Sequence, residues 1–165
     1  EDELSIAQRE KTLRRNFMGY TTYAGIDLYG FGVSSISEIE GHYYQNDQQL
    51  KSYQEKIASN HLAAVRGMWL TLEDQLRKTI IENLSCHCYL NFEHIERQFN
   101  ISFAKHFIEE LQACCSLEED GLIERQPKAI KVLPAGQILI RNVCMIWDAY
   151  LKGKTAQERQ FSKTV

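Results

Sequence analysis

Hydrophobic residues recur at helical spacing most clearly in the second half of the chain. After Thr71 they fall at Leu72, Leu76, Ile80, Ile81 and Leu84, which places them on one face of a helix. Thr71 followed by Asp74 is the pattern in which a hydroxyl and a carboxylate cap each other's backbone, so this helix starts directly after Thr71. A second helix is predicted after Asn91 with Phe92, Ile95 and Phe99 inward. A third follows Ser102 with Phe103, Phe107, Ile108, Leu111 and Cys115 inward. Gly121 stops that region. In LIERQPKAIKVL, two strand-like runs flank Gln126-Pro127-Lys128 and predict a β-hairpin. Pro134 suits the first turn of a closing helix, ILIRNVCMIWDAYL, whose apolar residues run almost all the way round and predict burial. Three helices, a hairpin and a closing helix make a winged-helix-like module over 71–165, with the polar tail KGKTAQERQFSKTV expected to end loosely.

The first half is less periodic. Residues 1–14 read as a helix, acidic at its start and basic towards its end at Lys11, Arg14 and Arg15, which complements the helix dipole. The stretch RNFMGYTTYAGIDLYGFGVSSIS, residues 15–37, holds Gly25, Gly30 and Gly32, and its DLYGFGVSSIS core predicts a short buried strand and a glycine-rich loop. Glycine there lets backbone approach a bound group closely. The polar EGHYYQNDQQ leads into a helix from Leu50 to about Ser59. The expected organisation is therefore 1–47, a connecting helix and linker over 48–70, and the module from 71. In fold class the chain is mainly α with a small β-hairpin.

Composition removes several functions. With 165 residues, 44% hydrophobic and 25% charged, the chain suits one good core or two small ones. A net charge of −3 gives no global attraction to nucleic acid or to an anionic membrane. The third predicted helix carries Glu109, Glu110, Glu118 and Glu119 against Lys105, so an acidic surface would meet phosphate if the module bound DNA in the usual way. No run approaches the roughly 18 apolar residues of a membrane span, and EDELSIAQREK has neither the basic nor the apolar part of a signal peptide. No membrane and no nucleic acid are expected as partners, and a cytoplasmic monomer is. The absence of a starting Met suggests a chain cut from a longer one.

Cys86, Cys88, Cys114, Cys115 and Cys144 are odd in number and near-vicinal, which argues for a reducing compartment over a disulfide framework. Neither they nor His42, His61, His94 and His106 have metal-ligand spacing, so no metal site is expected; burial as small core residues suits the cysteines better. There is no Walker loop, no G-x-S-x-G elbow and no H-E-x-x-H motif.

RNFMGYTTYAGIDLYGFGVSSIS resembles the late catalytic-domain segment of the oxygen-independent coproporphyrinogen III oxidases, a radical S-adenosylmethionine family. YYQND, RGMWLTLEDQLRKTII, DGLIE, AGQILIRNVCMIWDAYL and QFSKTV follow in the family's order, so the resemblance covers essentially the whole chain. It implies that residues 1–47 are a remnant of an α/β three-quarter barrel and that the longer parent is a haem-biosynthetic oxidoreductase. That enzyme turns two propionates of coproporphyrinogen III into vinyls, giving protoporphyrinogen IX. It uses a [4Fe–4S] cluster that cleaves S-adenosylmethionine to a 5′-deoxyadenosyl radical. The family's C-x₃-C-x₂-C triplet does not occur here, so the chain alone is expected to be inactive, with no catalytic residue of its own and no bound cofactor.

Carried over position by position, the resemblance puts Phe17 and Met18 beside a second S-adenosylmethionine, Met18 standing where the family often has Gln. Ile36 falls beside the cluster-bound S-adenosylmethionine. Arg14 and Arg15 are candidates for the substrate's propionates, because guanidinium forks match carboxylates; helix-end electrostatics is the simpler explanation of them. Tyr20, Thr21 and Thr22 are candidates for the same cleft. The module from residue 71 is expected to shape the cleft and exclude water. Two other readings remain open: a winged-helix module that binds nucleic acid or protein, and a haem-handling relative of the same family.

Overall fold

The structure is a computed structural model and describes residues 2–151. Helix α1 (Glu3–Arg9) is capped by the Asp2 carboxylate, which accepts from the Ser5 amide. It stops short of the predicted end because Lys11 turns to φ 58° and the following residues pair as strands. Those strands, β1 (Arg14–Asn16) and β2 (Gly19–Thr21), form a tight hairpin. Its turn is held by the Met18 amide donating to the Asn16 side chain, 2.8 Å, and by Gly19 at φ 128°.

A second antiparallel sheet has β4 (His42–Asn46) between β3 (Ile36–Ile39) and β5 (Ala64–Met68). Glu40 and Gly41 both have positive φ, the two-residue turn that matches strand twist. Helix α2 (Leu50–Ala58) connects β4 to β5 with no buried residue of its own. Asp47 organises this crossover: its carboxylate accepts from the Ser52 hydroxyl, the Lys56 ammonium and the Gln49 amide.

Helix α3 (Leu72–His87) begins with the predicted reciprocal cap between Thr71 and Asp74. It buries Leu76, Ile80 and Leu84. Strand β6 (Tyr89–Asn91) leads into α4 (Phe92–Phe99), which Asn91 caps. The predicted third helix is two, α5 (Phe103–His106) and α6 (Ile108–Glu119), because Phe107 leaves helical geometry to enter the core. The break rotates the inward face, so Glu110 and Cys114 are buried while Ile108 is exposed and Cys115 only half-buried. The predicted hairpin forms as β7 (Ile123–Gln126) and β8 (Ala129–Val132), and β8 also pairs with β6.

The expected closing helix is also broken, into α7 (Pro134–Ile138), α8 (Ile140–Met145) and a 3₁₀ turn at Ala149–Leu151. One side alone is buried: Val143 and Trp147 are inside, whereas Ile138 is 85% exposed. The expected tail after Leu151 lies outside the described residues. Among those residues the fold thus has eight helices and three small antiparallel sheets, more β-structure than a single hairpin.

The main core unites α3 to α8 and the third sheet around Ile80, Leu84, Phe103, Phe107, Ile130 and Trp147. Phe103 stacks on Phe92 at 4.1 Å and meets Phe107 and Trp147 at its other contacts. Arg77 enters this core from α3. It pairs with buried Glu110 at 2.9 Å, with Glu73 at 2.6 Å and with the Trp147 carbonyl at 3.0 Å, above the Phe107 ring. Helix α3 also meets the N-terminal part: Gln8 and Tyr20 donate to its last carbonyls, and the His87 ring bonds the Leu13 carbonyl.

A candidate ligand-binding face

Strand register decides which side chains meet over the β3–β4–β5 sheet. Glu38 lies opposite Tyr43 and Tyr43 opposite Met68, while Ile36 lies opposite Gln45 and Gln45 opposite Arg66. Paired residues share a face, so these six form two rows on one side of the sheet. The hairpin of β1 and β2 brings Phe17 to this side, edge-on to Tyr43 at 5.0 Å. Lys78 descends from α3 over the Tyr43 ring and donates to Glu38.

Burial works against the Lys78 charge, and the bonds to Glu38 and Tyr43 overcome it, so its pKa is raised and the ammonium is retained. Burial pushes the Tyr43 phenol up as well, against the opposing effect of Lys78, and keeps it protonated. Neither group is poised to exchange protons near neutral pH. The array is an orienting one.

Between the hairpin, the following loop, β3 and α3 lies a cleft of about 470 Å³, with Arg14, Arg15, Tyr23, Glu38, Lys78 and Glu82 on its walls. Arg14 reaches Glu82 at 3.3 Å. Arg15 instead lies over the Tyr20 ring, 5.5 Å from its centre, with no carboxylate partner among the described residues. Of the two candidate arginines, Arg15 is therefore the one with an uncommitted fork.

The glycine loop is held from beneath by Asn46, whose amide donates to the carbonyls of Gly30 and Gly32 and to the Ser35 hydroxyl. A Cβ on Gly30 would stand 2.7 Å from the Ile36 carbonyl oxygen, so a side chain there requires this backbone to shift. The loop turns its apolar residues outward: Phe31 is 89% exposed, and Tyr23, Ile26 and Tyr29 are exposed too. Between β2 and β3, the buried strand expected in DLYGFGVSSIS reduces to one bridge between Leu28 and Glu38. Loop closure around polar Asn46 leaves no apolar layer to cover these side chains.

The residues named from the sequence are distributed unequally. Phe17 and Ile36 reach one face of one sheet, and Arg14 and Arg15 reach the adjoining cleft. Met18 occupies the hairpin tip, 84% exposed, bonded through its backbone alone. Tyr20 and Thr21 belong to β2, Tyr20 anchored on the Ser85 carbonyl and Thr21 on the cleft wall. Sequence reasoning missed Tyr43, Lys78, Glu38, Glu82 and Arg66. Lys78 and Glu82, one turn apart on the flank of α3, carry the only local signal, and it reads as a solvated helix face.

No group of three His, Cys, Asp or Glu among the described residues could hold a metal ion. Cys86 and Cys114 are buried in the core, and burial pushes the Cys114 and Cys144 thiols up to about 12. No helix of the described residues is long and apolar enough to cross a membrane.

No protein-family model matches the chain. Individual relatives do. The oxygen-independent coproporphyrinogen III oxidase of Salmonella typhimurium is 44% identical over 165 residues, all of this chain and 36% of the relative. Over its whole length, the chain is similar to oxygen-independent coproporphyrinogen III oxidases. The enzyme of that name from Thermostichus vulcanus is likewise 44% identical, over 99% of this chain and 50% of the relative. Among solved structures, coproporphyrinogen III oxidase (HemN) from Escherichia coli, described as a radical SAM enzyme, superposes with a TM-score of 0.87 at 44% identity. That match takes in 92% of this chain and 35% of the solved one. The chain thus spans from about a third to a half of the length of these coproporphyrinogen oxidases.

Proposed function

We propose that the chain is the C-terminal part of an oxygen-independent coproporphyrinogen III oxidase, a cytoplasmic, monomeric enzyme that oxidatively decarboxylates two propionates of coproporphyrinogen III to give protoporphyrinogen IX. The observation that carries this reading is the likeness to enzymes of that name, along the entire chain in sequence and over 92% of it in backbone. The remainder of such an enzyme would hold the [4Fe–4S] cluster, whose ligands this chain lacks.

In this reading 1–47 completes one flank of a three-quarter α/β barrel, 48–70 connects, and the residues from 71 form a winged-helix-like module over the cleft. S-adenosylmethionine, when bound, supplies the oxidising radical chemistry. Phe17, backed by Tyr43, offers apolar surface to a second S-adenosylmethionine and Ile36 to the cluster-bound one, and neither side chain needs to titrate. Met18 offers a thioether where an amide is frequent in the family, so contact there is by dispersion rather than by hydrogen bond. Arg15 pairs with a substrate propionate, and Arg14, already engaged by Glu82, stiffens the wall behind it. The exposed aromatics of the glycine loop would face the flat tetrapyrrole or the rest of the barrel.

The test is anaerobic turnover of coproporphyrinogen III by the full-length protein with its cluster reconstituted and reductant present. Divinyl product that disappears on Phe17→Asp or Ile36→Asp replacement supports the reading. Cleavage of S-adenosylmethionine without porphyrinogen turnover sinks it, and haem handling then becomes the better account.

A further inference from the structure

The two rows on the sheet face differ in what covers them. Tyr43 lies beneath Phe17 and Lys78, with Glu38, which Lys78 holds, on one side of it and Met68 on the other. Ile36, Gln45 and Arg66 form the open row: Ile36 and Gln45 are half-buried, and Arg66 is exposed on the edge strand β5. Gln45 is turned by its amide donating to the Ser34 carbonyl at 3.3 Å. The pairing register slips between Gln45 and Asn46, so Val65 is an extra residue immediately before Arg66. A bulge of this kind bends an edge strand and re-aims the neighbouring side chain.

Charge matching singles out the same residue. Around this face Arg14 holds Glu82, Lys78 holds Glu38 and Lys56 holds Asp47. Arg66 has neither a carboxylate, a ring nor a carbonyl partner among the described residues. An arginine left without a partner, beside a half-buried apolar residue and an amide already oriented, has the donor geometry for a planar carboxylate.

We propose that Arg66 is a carboxylate-binding residue of this face, taking a propionate of a ligand that lies over Gln45, beside the S-adenosylmethionine assigned above to Ile36. The identity of that ligand as a tetracarboxylate tetrapyrrole rests on the function proposed above. Arg66 and Arg15 would then hold different carboxylates of one macrocycle, from β5 and from β1.

Fluorescence titration of the full-length protein with coproporphyrin III, the air-stable oxidised tetrapyrrole with four propionates, tests this; mesoporphyrin IX, with two, is the comparison. For Arg66→Gln we expect binding of the tetracarboxylate to weaken by about 10-fold, the loss of one charge-assisted pair. The preference over the dicarboxylate should shrink, and the salt dependence should become shallower. Arg66→Lys should restore part of the affinity, and Arg97→Gln on α4 should change nothing. An unchanged affinity in Arg66→Gln, or an equal loss for both porphyrins, overturns the assignment while leaving the proposed function standing. No binding of coproporphyrin III by the unsubstituted protein overturns both.

Discussion

The N-terminal sheets and the helical region beyond Thr71 are built on different balances. Before Thr71 the only buried hydrophobic residues among those described are Ala7, Leu13 and Ala63, whereas the rest, including Phe103, Phe107 and Trp147, lie beyond it. The first region turns Phe31, Leu62, Tyr23 and Trp69 outward and is held by polar nodes, Asn46 under the glycine loop and Asp47 under the crossover. The second gains its stability from apolar burial, which scales with area and needs no partner outside the region. A region that spends its aromatic side chains on its surface is shaped for what will sit on it. One that buries them is shaped to hold still.

The contrast breaks first, if it is wrong, at Arg77. Replacing Arg77 by Met leaves Glu110, 3% exposed, with its principal charge partner gone. The expected cost is about 3–5 kcal/mol, read as a lower denaturant midpoint, with ligand affinity per folded molecule unchanged. A cost under about 1 kcal/mol would mean that the helical region does not depend on this pair.

Next come two glycines, one from each region. In Gly136→Ala the new Cβ would stand 2.0 Å from the Leu122 carbonyl and 2.9 Å from Val132, inside the packed core, at a cost of about 1–3 kcal/mol. Gly30→Ala places its Cβ against the Ile36 carbonyl, where the loop can yield towards solvent. Calorimetry should show a large fall in Tm for Gly136→Ala and a smaller one for Gly30→Ala. Coproporphyrin binding should show the reverse order. Equal effects on both readouts would erase the distinction between the regions.

Thr71 joins them, because it caps the helix that both use. Thr71→Ala should cost about 1 kcal/mol by denaturant titration, and Thr71→Ser should recover most of it.

How far the sequence could be read follows the same division. Helices α3 and α4, their caps at Thr71 and Asn91, and the β7–β8 hairpin were legible because apolar period and turn residues agree there. The breaks at Phe107 and Leu139 were not: the first follows from Phe107 entering the core, and at Leu139, which stays exposed, no local signal records the break. Strand β5 stayed hidden because AVRGM is exposed along most of its length and so lacks alternation. The site was hidden for a further reason: Lys78 meets Glu38 across 40 residues of sequence, and only the fold brings them together.

The smallest effect expected is one of pH, and it lies in the N-terminal region. Asp47 accepts first from the Ser52 hydroxyl, then from Lys56 and the Gln49 amide, which hold its carboxyl well below the usual carboxylate range. An unfolded Asp titrates near about 3.9, so the folded state favours the ionised form. Its contribution is therefore complete above that value and is lost as pH falls through the lower folded one. Acid should accordingly loosen the β4–α2–β5 crossover by this route, while core pairs around Phe103 keep their apolar burial. Hydrogen exchange compared at neutral pH and near about pH 3 should show amides of this segment losing protection before those of α3. In Asp47→Asn that difference should shrink, the segment being looser at both values. Early loss at α3 instead would mean that the helical region, with its buried Glu110, is the acid-sensitive one, and that the two regions do not divide between polar and apolar support.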